Sequence, residues 1–294
     1  GWSRRDQTLF WAYATMALFL IAILLSKVIY KLIETFMWGV ALFTLIGLIW
    51  ASANAEVLRA LPAFVKGLVI PEWQMPRPWD PADATKLLTA ITFAGLGGFW
   101  TLFYSYWLRD KGSGMAHYAG RLTGPITGKP EAIPDSGSLP SNDEGLAHVK
   151  HWHRFMFWDI GIGVVGNMIT TLLTCLLAYA LLFPKGLLPQ GYEIAVVQSR
   201  FFEVSWGGWG RILFLIVAAA FLSDTWLATV DAVSRTHADC VYGFFPRSRR
   251  IPYRKWYLFF LLLLTLITGV TVQMNEPGTL ILISAVIGFV GTVI

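Results

Sequence analysis

The stretch "FLSDTWLATVDAVSRTHADCVYGF", residues 221–244, carries charge inside an otherwise apolar run. Asp224, Asp231, Arg235 and Asp239 follow one another at i, i+7, i+11 and i+15, so on a helix they fall close to one face. Asp231 and Arg235 form an i,i+4 pair in the favourable order, which suits either a structural tie or a gating pair. Asp224 lies deeper in the run and has no partner within it. That is the pattern of a group that handles an ion or a proton. Asp239 and His237 sit near the end of the run, where solvation is the simpler reading. A charge at the centre of a membrane helix costs about 2.5–3.5 kcal/mol on insertion scales. This face must therefore point into a bundle or a wet cavity.

A second stretch, "TFAGLGGFWTLFYSYWLRDKGSGM" from Thr92 to Met115, places Gly95, Gly97 and Gly98 in the middle of an apolar run. Small residues of this kind permit close helix packing. They also suit a helix broken near the bilayer midplane, where freed backbone groups meet a cargo. With acidic Asp224 in a neighbouring span, the broken helix is the expectation. Gly97 and Gly98 would expose backbone, and Thr101, Tyr104 and Ser105 would add oxygen ligands. Asp159 and Asn167 share a face of their span, and Asn167 is expected to hydrogen-bond between helices. Glu34 reads as a charge at the start of its span. The histidines His117, His148, His151 and His153 lack the cysteine or carboxylate pattern of a metal site. No nucleophile–base set, phosphate-cradling loop or zinc signature occurs, so neither an enzyme nor a resident cofactor is expected.

The elements that position these residues follow from composition. Of 294 residues, 55% are hydrophobic and 14% charged, and the mean hydropathy is +0.57. A soluble domain carries about 25% charged residues, so the chain reads as an all-α, polytopic membrane protein. Seven candidate spans lie at roughly 7–26, 32–53, 86–108, 155–183, 210–243, 256–274 and from 278 onward. The connection 55–85 holds a short amphipathic stretch, and 184–209 a short surface helix. Segment 110–154, rich in Gly, Pro and Ser, reads as a mobile cytoplasmic loop. Cys175 and Cys240 read as free core thiols.

The loop "PRSRRIPYRK" carries Arg247, Arg249, Arg250, Arg254 and Lys255 without an acid, which places it in the cytoplasm. Alternation puts Lys27, Lys31, Arg109, Lys111, Arg121, Lys129, Lys150 and Arg154 on the same side. The net charge of +5 reflects such loops rather than nucleic-acid binding. The partner is the lipid bilayer. No oligomeric state is assigned.

The stretches "YKLIETFMWGVALFTLIGLIW", "LPAFVKGLVIPEW", "AGLGGFWTLFYSYWLRDKGSGM" and "LSDTWLATVDAVSRTHADCVYGF" occur in an order that resembles the natural-resistance-associated macrophage protein (Nramp) family of divalent-metal transporters. The likeness is to a divergent prokaryotic branch and runs over nearly the whole chain; "SYWLRDKGSGM" and "VDAVSR" are its more specific parts. It implies the inverted-repeat fold of sodium-coupled amino-acid carriers, present in part. Residues 1–294 would form one transporter domain, from the family's fourth helix to its tenth, with earlier helices missing. It implies a prokaryotic inner membrane and proton-coupled symport of a divalent cation (Mn, Fe or Mg) by alternating access. The family's sixth-helix signature, an alanine followed by Met-Pro-His, is replaced here by "GGFWTLFYS", so none of its metal ligands carries over. Without a thioether, a harder, oxygen-liking ion is expected. The alternatives are an amino acid or other small solute carried on the same fold, and a non-transporting scaffold or sensor subunit.

Overall fold

A computed structural model describes residues 3–70, 83–84, 87, 100–114, 116, 120–129, 131, 141–188, 193–274, 279–280 and 283. Among these the regular secondary structure is helical. Its main elements are α1 (Arg4–Leu25), α2 (Ile29–Ser52), α3 (Ala55–Val69), α4 (Trp100–Lys111), α5 (Asp143–Leu177), α6 (Ile194–Gln198), α7 (Arg200–Phe244) and α8 (Tyr253–Thr271). Five of them are long and apolar enough to cross a membrane: α1, α2, α5 with its continuation to Lys185, α7 and α8. They mark an integral membrane protein. Of the expected span 86–108, the described part is chiefly α4. The glycines Gly95, Gly97 and Gly98 lie outside the described residues, as does nearly all of the span from 278.

Local chemistry explains the helix ends. Asn142 accepts a hydrogen bond from the Gly145 N–H at 2.8 Å, and Asp143 and Glu144 occupy the first turn of α5, where the helix dipole favours acids. The helix therefore starts at Asp143, twelve residues before the apolar run that marks its span. Its 35 residues reach about 52 Å at 1.5 Å per residue, well beyond a hydrocarbon core of about 30 Å. Its far end passes through a π-helical turn, Ala178–Leu182. In α7, Gly207 has φ +58° and ψ −145°, a conformation closed to residues with a Cβ. It divides a short leading helix from the span proper. The amphipathic stretch after α2 forms α3, capped by Asn54 through the Glu56 N–H at 2.9 Å.

Two apolar cores sit at opposite ends of the bundle. One joins Ile23, Ile29, Ile33, Leu122, Leu227, Tyr257 and Leu261. The other joins Leu48, Val57, Leu177, Leu181, Phe201 and Phe202. At the first end, the α1–α2 turn pairs with segment 122–126: Ile29 N–H donates to Leu122 O at 3.2 Å and Gly124 N–H to Ser26 O at 3.1 Å. Arg254, at the start of α8, donates to Gly124 O. These backbone ties put Lys27, Arg121, Lys129 and the arginine-rich turn Pro246–Arg250 at one end. The loops assigned to one side of the membrane from charge are thus neighbours in space.

Between and around these cores the outer surface is apolar. Trp11, Phe43, Phe157 and Trp209 are 67%, 67%, 72% and 80% exposed. Patches of this extent in a soluble chain mark interaction surfaces; around long apolar helices they face lipid. The two thiols correct an expectation: Cys175 and Cys240 are free but exposed, because the apolar faces that carry them point outward. Asn167 is likewise exposed, with no hydrogen bond between helices among the described residues, because the α5 face carrying it meets none of the described helices.

The α2–α7 contact gives a specific expectation. A Cβ on buried Gly47 would collide with the Phe202 ring, whereas one on Gly39 meets nothing within 4 Å. Gly47→Ala should therefore destabilise by about 1–3 kcal/mol through overpacking, despite alanine's better helix propensity. Gly39→Ala should be neutral or slightly stabilising. Thermal unfolding in detergent, followed by tryptophan fluorescence, checks the pair.

Candidate functional site

The end of α4 gathers the charges. Gly112, at φ +76°, closes the helix: its N–H donates to Arg109 O at 2.9 Å, and Ser113 N–H to Leu108 O at 3.2 Å. This is the double hydrogen bond of a glycine C-cap. It fixes the three preceding residues, Arg109, Asp110 and Lys111, each aimed at a different helix.

Asp110 faces α7. Its Oδ2 accepts from Arg235 Nη1 at 2.6 Å, and both side chains are fully buried. On the other side of the guanidinium, Arg235 Nε donates to Asp231 Oδ2 at 2.9 Å. Asp231 Oδ2 also accepts from Trp107 Nε1 at 3.2 Å, and its Oδ1 from the Tyr257 hydroxyl at 2.7 Å. Arg109 lies 3.6 Å from Asp110 Oδ1, with its guanidinium over the rings of Tyr106 at 5.5 Å and Tyr253 at 5.7 Å. Two cations and two carboxylates thus balance inside the bundle, linking α4, α7 and α8. A buried charge is tolerated when it is paired and hydrogen-bonded. Each charge here has its counter-charge, while Asp110 Oδ1, Arg235 Nη2 and Arg109 Nε and Nη2 are buried with no hydrogen-bond partner among the described residues.

Lys111 faces the other way. Its Nζ lies 3.5 Å from Glu34 of α2 and 3.4 Å from Asp159 of α5. Tyr30 donates to Glu34 Oε1 at 2.9 Å and Tyr104 to Asp159 Oδ2 at 2.8 Å. This second cluster is half-buried. Tyr104, expected as an oxygen ligand, is thus engaged with Asp159. Thr101 lies in α4, and its side chain is outside the described residues.

Asp224 stands apart from both clusters. It is 8% exposed, and its Oδ1 is buried with no hydrogen-bond partner among the described residues. It lies two turns from Asp231 on the same helix face, about 10 Å along the axis. The buried face of α7 is the one that spacing predicts, with Asp224, Asp231 and Arg235 all inside. Asp239 is half-buried and His237 exposed. Whether Asp224 meets Gly97 and Gly98 lies outside the described residues.

Sequence reading passed over Asp110, Trp107 and Tyr257 as members of this network. Asp110 stands between two cations at the end of an apolar run, which reads as interfacial charge. The glycine two residues on is the signal that α4 stops there with its last turn turned inward. Among the described residues, no group of three or more His, Cys, Asp or Glu side chains is placed to hold a metal ion; His148, His151 and His153 lie exposed along the start of α5. Comparison with family models, curated proteins and solved structures gives no match.

Truncating one partner of a buried pair strands the other charge, at about 3–5 kcal/mol. Asp110→Ala and Asp231→Ala should each lower the unfolding temperature strongly. In an Arg235→Met background the same truncations should cost much less, because no guanidinium is left unpaired. Thermal unfolding of the wild type, Arg235→Met, both truncations and both double variants measures that coupling.

Proposed function

We propose that this chain is the membrane domain of an ion-coupled secondary transporter related to the Nramp family, with a divalent cation of the Mn, Fe or Mg type as cargo. The observation that carries this reading is Asp224. Its Oδ1 is buried in an apolar span with no hydrogen-bond partner among the described residues, and such an oxygen costs free energy until it meets a proton or a cation. In a transporter that need is the coupling device, because the group changes its company as the cargo comes and goes.

The charged cluster two turns away supplies the second part. Asp110, Asp231 and Arg235 fasten α4 to α7 at the end of the bundle that also holds the arginine-rich turn. Pairs of this kind hold one side closed and open when helices rock, as alternating access on the inverted-repeat fold requires. The glycines Gly97 and Gly98 would form the cargo-facing break, with backbone oxygen as the ligand type. The metal itself rests on the resemblance of "SYWLRDKGSGM" and "VDAVSR" to the family; an amino acid or other small solute is the competing cargo.

The test is uptake into proteoliposomes loaded with a metal-sensitive dye. Wild-type protein should admit Mn, Fe or Mg ions, and an inward proton gradient should speed it. Asp224→Asn should slow uptake at least tenfold at matched incorporation. Absence of response to all three metals would refute the metal cargo. Unchanged uptake in Asp224→Asn would remove Asp224 from the coupling, and unchanged function in both Asp224→Asn and Gly98→Leu would favour the scaffold or sensor reading.

A further inference from the structure

The start of α8 breaks a rule that helices usually keep. Helix N-termini carry partial positive charge and favour acids. The first turn of α8 has no acid and no side-chain cap; instead it presents Arg254 and Lys255. Two cations at the positive end of a helix repel it unless an anion sits between them.

A cavity of about 550 Å³ lies at this point, lined by Arg121, Arg254, Lys255, Glu131, Tyr242 and Leu258 among others. Three cations and one acid leave a surplus of positive charge. Glu131 is already engaged, accepting the Arg121 backbone N–H at 2.6 Å. Arg254 spends one nitrogen, Nη2, on the carbonyls of Gly124 and Gly128, the second at 3.4 Å. Its Nε is buried and has no hydrogen-bond partner among the described residues. The arginine is thus held in place by backbone, with its Nε shut away from the cavity. Leu258, one turn into α8, forms apolar wall, and Phe259 and Leu262 beyond it are exposed on the outer face.

We infer that this cavity binds a phosphate group, held by Arg254, Lys255 and Arg121 at the positive end of α8. Guanidinium forks and helix N-termini are both matched to phosphate oxygens. The apolar wall that continues onto the outer face suits the headgroup of an anionic phospholipid, for which basic pockets between membrane helices are a recurrent site. Free inorganic phosphate offers the same chemistry. The site is independent of the transport reading and of Asp224.

The experiment compares lipid binding by native mass spectrometry for the full chain, with phosphatidylcholine or phosphatidylglycerol supplied in mixed micelles. Phosphatidylglycerol should bind selectively. Arg121→Gln with Lys255→Gln leaves Arg254's carbonyl contacts intact and should weaken that binding about twenty-five-fold, at about fivefold per cation removed. Glu131→Gln removes the opposing charge and should tighten it about fivefold. In a second arm, inorganic phosphate is added to lipid-free protein in detergent and the unfolding temperature is read. A rise that the double variant lacks identifies free phosphate as a ligand, and selectivity for phosphatidylglycerol alone identifies the headgroup. Equal binding of the two lipids with no response to phosphate overturns the inference, as does binding unchanged in the double variant.

Discussion

A guanidinium shut away from water must find its counter-charge inside the protein, and the architecture of this bundle follows from how Arg235 does so. Its two carboxylates come from different places. Asp231 lies one turn back on the same helix, and Asp110 arrives from a separate helix more than a hundred residues earlier. The local pair could form in an isolated α7. The distant one exists only when the end of α4 is docked, so pairing Arg235 fully and assembling these helices are the same event. Tyr257 and Trp107 complete Asp231's hydrogen bonds and bring α8 into the same lock. Because desolvation offsets much of the Coulombic gain, such a cluster is better at specifying one arrangement than at adding stability.

The tripeptide Arg109, Asp110 and Lys111 shows how a short segment can hold several helices at once. Successive residues at a helix end point about 100° apart, so three adjacent charges reach four helices: the Tyr253 ring of α8, Arg235 of α7, and Glu34 of α2 with Asp159 of α5. The glycine cap directly after them makes this possible, since it ends the helix where the charges meet. In the transport reading, a joint of this kind is where rocking helices would part, while Asp224, two turns further in, lies outside the lock.

The rest of the molecule obeys the rule of lipid as solvent. Among the described residues its two apolar clusters lie toward opposite ends, while large aromatic and aliphatic side chains cover the outside. Positive charge gathers at one end, around the α1–α2 turn, segment 121–129 and the connection into α8. Loops of this kind set orientation in the membrane; at the start of α8, which has no acid in its first turn and no side-chain cap, the surplus also suits an anion.

Much of this was legible in the chain itself. Apolar runs of about 20 residues fix spans because bilayer thickness fixes helix length. The 3.6-residue period put Asp224, Asp231 and Arg235 on one face, and a charged face cannot lie against lipid. Long-range pairing was not legible. Asp110 belongs to Arg235, and Lys111 to Glu34 and Asp159, through packing that no local period encodes. The same holds for the thiols of Cys175 and Cys240, whose apolar neighbours mean core in water and outer surface in lipid. Sequence thus determined which groups must be hidden, because the solvent and the helix period set that locally. Tertiary structure decided which groups they are hidden with, because partners a hundred residues apart meet only when the helices close around them.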